Sequence, residues 1–63
     1  MVMSNWVDVH YEKAGEAMGW AERNCPSYVT VDVSTVKTTL LCRFYFSGKG
    51  EEQDRVIFQL RWA

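Results

Sequence analysis

The sequence predicts an α+β fold, one helix packed on a three-stranded antiparallel sheet in the order α-β-β-β. Three observations carry this. Val7, Tyr11, Ala14, Met18 and Ala21 recur at alternating four- and three-residue steps, the apolar stripe of a helix. Val29, Val31 and Val33 alternate with Thr30, Asp32 and Ser34, the pattern of a half-buried strand. Two further stretches, 39–47 and 55–62, alternate in the same way on either side of the polar loop Gly48-Lys49-Gly50-Glu51-Glu52-Gln53.

The helix is expected from about residue 8 to 24. Asn5 or Asp8 supplies a cap, and Pro26 ends it because proline cannot continue a helix and disfavours helical geometry at Cys25. Gly15 and Gly19 weaken it by about 1 kcal/mol each relative to Ala. Spaced four residues apart, they let the helix lie close to the sheet. Trp6, Val7 and Val9 are strand-prone, so Met3 to Val9 reads alternatively as a short extra strand, giving β-α-β-β-β. Val36-Lys37-Thr38 is a tight connection, and short connections make the three strands an antiparallel meander. The inner face is then Val29, Val31, Val33, Leu40, Cys42, Phe44, Phe46, Val56, Phe58, Leu60 and Trp62, set against Tyr11, Ala14, Met18 and Ala21. The stretch LLCRFYF (40–46) is apolar on both faces, which leaves Leu41 and Tyr45 looking outward.

Length and composition bound the function. Sixty-three residues make one domain, 1–63, that buries only about 60% of the surface of its unfolded chain. With 48% hydrophobic and 24% charged residues the chain is globular. A net charge of -1 predicts neither a nucleic-acid nor a membrane partner from bulk charge. No long apolar run predicts a membrane span, and MVMSNWVDVH has no basic region leading into an apolar core. A cytoplasmic protein is expected, with Cys25 and Cys42 reduced.

The chemistry-bearing residues are sparse. His10 is the single histidine and has no cysteine or carboxylate at ligand spacing. No metal site, cofactor or catalytic residue is expected. Ser47-Gly48-Lys49-Gly50 lacks the spacing of a phosphate-binding loop and sits before a strand, not a helix.

Two surfaces remain. The first is acidic: Asp8, Glu12 and Glu16 fall four residues apart along the expected helix, and Glu51, Glu52 and Asp54 cluster in the loop. The plain reading is helix-dipole compensation, with Lys13 offsetting Glu16. The sharper one is a carboxylate row that engages a basic groove on another protein. The second surface is the outer sheet face, with Leu41, Arg43 and Tyr45 on one strand and Arg55, Ile57, Gln59 and Arg61 on the next. Arginine, tyrosine and aliphatic side chains are the composition of interface hot spots.

The size, the α+β shape and the patches Asp8-Glu12-Glu16 and Glu51-Glu52-Asp54 resemble small phage- or mobile-element-encoded inhibitors of host defence, the anti-CRISPR proteins. That class shares no sequence motif. The resemblance implies a non-catalytic inhibitor or adaptor that blocks a host nucleic-acid-handling complex in the cytoplasm. The charge of -1 favours steric occlusion over charge mimicry. Two alternatives stand beside it. One is a nucleic-acid-binding module using Arg43, Tyr45, Arg55 and Arg61. The other is a homodimeric structural or regulatory subunit joined through its open sheet faces.

Overall fold

The computed structural model describes residues 6–63. Five elements follow one another: β1 (Trp6–His10), α1 (Tyr11–Asn24), β2 (Tyr28–Val36), β3 (Thr39–Phe46) and α2 (Glu51–Trp62). The sheet is three-stranded and antiparallel with order β1-β3-β2, and the class is α+β as expected.

The N-terminus adopts the strand alternative. β1 turns directly into α1, with no intervening loop. His10 at this junction holds extended backbone and its Nδ1 accepts from the Glu12 amide at 3.3 Å, so histidine is the cap rather than Asp8. The alternative cap Asn5, and residues 3–5 of the expected N-terminal strand, lie outside the described residues.

The segment expected as the third strand is a helix. Residues 55–62 belong to α2, and the place beside β3 is taken by β1. The loop acids are therefore its first turn: Glu51, Glu52 and Asp54 sit at the positive end of the helix dipole, with Arg61 in the last turn. Glu51 and Arg55, one turn apart, form a two-point ion pair at 2.6 and 3.4 Å.

Both helices cover the same face of the sheet. Val7 and Val9 of β1 and Cys42, Phe44 and Phe46 of β3 pack against Ala14, Ala17 and Ala21 of α1 and Phe58 of α2. The alanines recur at three and four residues, and their small side chains let α1 approach the sheet. The glycines have no such role: a Cβ on Gly15 would meet nothing within 4 Å, and one on Gly19 would meet the Arg23 side chain of the same helix at 3.4 Å rather than the sheet. Tyr11 and Met18 are exposed, because the buried stripe of α1 runs through Ala17 instead.

The β2 alternation breaks at a bulge. Tyr28 pairs with Phe46 and Thr30 with Tyr45, leaving Val29 unpaired and turned to solvent. Val31 and Val33 keep the helix side, but Val33 and Leu40 lie exposed. Lys37 closes the β2–β3 hairpin in the left-handed region, φ 59°. On α2, Phe58 is buried, whereas Val56 and Leu60, expected inside, face water.

Candidate interaction face

Antiparallel partners share a face, so the register fixes what the uncovered side of the sheet presents. Its three rows are Trp6–Tyr45–Thr30, Asp8–Arg43–Asp32 and His10–Leu41–Ser34. No helix among the described residues packs there. Leu41, Arg43 and Tyr45 occupy the outward positions expected of them. Arg55, Ile57 and Arg61 do not: they ride on α2, because residues 51–62 coil with a 3.6-residue period. The arginine-rich half of the expected face is thereby removed. Trp6 and Asp8 replace it.

The centre of the face is an ordered cluster. Arg43 donates from Nε to Asp8 Oδ1 at 2.9 Å and from Nη2 to Asp8 Oδ2 at 3.4 Å. Its guanidinium carbon lies 4.6 Å from the Trp6 ring centroid, and Trp6 meets Tyr45 edge-on at 5.9 Å. The hydrogen bond to Asp8 is the main cause that raises the Arg43 pKa above its ordinary value. Four side chains from two strands thus hold one another in place over an uncovered surface. The signal for this cluster lay in the sequence as the alternation Trp6-Val7-Asp8-Val9-His10, which puts Trp6, Asp8 and His10 on one side of a strand.

The acidic row expected along the helix does not form. Asp8 belongs to β1 and is bound to Arg43. Of that row, Glu12 and Glu16 remain exposed on α1. The second acidic cluster is also divided. Glu51 is paired with Arg55, and Glu52 is exposed. Asp54 points inward, where its Oδ2 accepts from the Ser27 hydroxyl at 2.6 Å and the Ser27 amide at 3.1 Å. That carboxylate joins the start of α2 to the turn between α1 and β2, and its role is architectural.

Cys25 and Cys42 are free and buried. Burial, with the nearby Asp54 carboxylate adding to it, pushes the Cys25 thiol up and disfavours the nucleophilic thiolate. Among the described residues no three histidine, cysteine or acidic side chains are grouped to hold a metal ion. No helix among them is long and apolar enough to cross a membrane. An open groove of about 360 Å³ runs between α1 and α2, lined by Gly15, Gly19, Trp20, Arg61 and Trp62.

No family model, curated protein or solved structure matches this chain.

Proposed function

We propose that the protein is a non-catalytic binding protein, an inhibitor or adaptor of the phage-encoded kind, that occupies another protein through the open face of its sheet. The observation that supports this reading is the Trp6–Arg43–Tyr45 cluster. Tryptophan, tyrosine and arginine are the residue types that dominate binding energies at protein interfaces. Here they stand on two paired strands, mutually restrained, so less side-chain freedom remains to be lost on binding.

Charge favours a protein partner over nucleic acid. The face carries Asp8 and Asp32 against Arg43, and Arg43 is already engaged. A nucleic-acid platform needs arginines free for phosphate. With Arg55 and Arg61 on α2, the open face supplies no such array. The carboxylates of the expected acidic patches that stay exposed, Glu12, Glu16 and Glu52, suit the rim of a basic groove, as in a host nucleic-acid-handling complex blocked by steric occlusion in the cytoplasm.

The test is affinity capture from host lysate with the folded wild-type chain and its Trp6→Ala and Tyr45→Ala variants. Loss of either ring is expected to weaken capture of the same partner by about tenfold or more. Undiminished capture by both variants overturns the reading. So does a loss seen only when Glu12 and Glu16 are changed to Lys, which moves the contact to α1. Binding of single-stranded DNA or RNA that falls steeply with salt assigns the face to nucleic acid instead.

A further inference from the structure

We propose that β2 is a dimerisation edge, and that its occupant is the β2 strand of a second copy of this chain, paired antiparallel about a two-fold axis at Val33. The inference is independent of the open-face reading, since it uses the rim of the sheet and not its surface.

β2 is an outer strand in the order β1-β3-β2, and at nine residues it is the longest strand among the described residues. Beyond the Val29 bulge, Thr30 to Val36 runs in unbroken register against β3. Its outward backbone N–H and C=O groups have no strand beside them among the described residues. Proteins ordinarily blunt such an edge with proline, lysine, a bulge, a short strand or a covering element, and the bulge of β2 lies ahead of this regular segment. Here Thr30-Val31-Asp32-Val33-Ser34-Thr35-Val36 holds no proline and no lysine, and a single charge. Its residues are strongly β-prone. α2 packs over β1 and β3, leaving Val33 63% exposed on the helix side of the edge.

Symmetry narrows the occupant to one register. A two-fold axis that extends an antiparallel sheet runs perpendicular to it, and paired side chains must share a face. The axis therefore passes midway between a residue and its own copy. Centred on Asp32, it opposes two carboxylates, which is destabilising. Centred on Val31, it draws the bulged Val29 into the ladder opposite Val33. Centred on Ser34, it shortens the overlap. Centred on Val33, it pairs Val33 with its copy, Asp32 with Ser34, Val31 with Thr35 and Thr30 with Val36. This uses the whole regular segment, buries the exposed Val33 against itself and opposes no like charges. The product is a six-stranded sheet, with β1 at each edge and the helices of both copies on one side.

Sedimentation equilibrium of the full chain over a wide concentration range tests this. The expected result is a monomer–dimer equilibrium with a limiting mass twice that of the chain. Val33→Lys is expected to abolish the dimer. Because Val33 is exposed, this variant is expected to keep the monomer's circular dichroism. Two substitutions at Ser34 test the register. Ser34→Lys sets lysine opposite Asp32 twice over and is expected to tighten the dimer severalfold, and Ser34→Asp to loosen it by a similar factor. A wild-type chain that stays monomeric at the highest concentrations overturns the proposal, as does a dimer indifferent to Val33→Lys. A dimer lost with Trp6→Ala but kept with Val33→Lys belongs to the open face and equally overturns it. Equal responses to Ser34→Lys and Ser34→Asp reject the Val33 register.

Discussion

Phe58 of α2 lies against Phe44 of β3, with ring centroids 4.8 Å apart, and both rings are wholly buried. Phe46 and Trp20 complete the cluster around Phe58 at 5.4 and 6.1 Å. This one side chain anchors α2 to the sheet. Leu60, two residues later, is 83% exposed. In a strand, Phe58 and Leu60 would share a face and matter alike. In the helix they do not. Phe58→Ala is expected to cost about 3–5 kcal/mol, enough to unfold a chain of this size, with Phe58→Leu giving a measurable intermediate loss. Leu60→Gln is expected to stay within about 0.5 kcal/mol. Urea denaturation of the three variants checks the contrast, and similar losses at the two positions would contradict the helix.

Asp54 is expected to matter more than its acidic neighbours. Removing its carboxylate leaves the Ser27 amide and hydroxyl without their partner, and Ser27 is only 5% exposed. Asp54→Ala should cost about 2–3 kcal/mol, since a charge-assisted pair of hydrogen bonds is lost around a buried group. Glu52→Ala, at an exposed position with no such bonds, should cost under about 0.5 kcal/mol. Thermal melts of both variants measure the difference.

Gly15 offers a stabilising change. It lies inside α1, where glycine costs about 1 kcal/mol relative to alanine. An added methyl meets no atom within 4 Å. Gly15→Ala should therefore raise stability by about 0.5–1 kcal/mol. A loss of stability in a urea titration would show that the glycine has a packing role after all.

Stability should fall on the alkaline side. Burial, then Asp54, raises the Cys25 thiol above its ordinary value of 9.0. Burial, then Glu22, raises the Tyr28 phenol above 10.0. The unfolded chain releases these protons at the ordinary values and the folded chain only at higher pH. Between the two the unfolded state binds fewer protons, so this stability is intact below about pH 9 and lost as pH rises. Each group contributes a slope of at most about 1.4 kcal/mol per pH unit. Cys25→Ala should flatten the first part of the decline. An unchanged pH profile in that variant would remove the thiol as a cause.

The sequence alone determined the class and much of the local structure. The β2–β3 hairpin follows from period-two alternation across a short polar turn. The body of α1 follows from the helical spacing of Ala14 and Ala21 and from Pro26, while its buried stripe runs through Ala17 rather than Tyr11 and Met18. Both patterns are local, and each fits only one backbone period. Leu41, Arg43 and Tyr45 were legible as an outward set for the same reason.

Residues 51–62 were ambiguous because their apolar positions satisfy two periods. Val56, Phe58, Leu60 and Trp62 alternate as in a strand, while Phe58 and Trp62 are also one helical turn apart. The acids of the first turn and Arg61 in the last were the helix signal, and the glycines before them obscured it as a hairpin loop. A helix of 12 residues is marginal in isolation, so packing has to select it. Only the tertiary structure could do that. β3 has two edges, β2 fills one, and β1 fills the other. With both edges taken, the last segment finds no strand partner on β3. It coils instead and lays Phe58 over the remaining bare part of the sheet. The same competition decides the candidate face: seating β1 beside β3 brings Trp6 and Asp8 to Arg43 and sends Arg55, Ile57 and Arg61 to the other side of the molecule's core. That pairing joins residues 35 positions apart, a separation that no local pattern encodes.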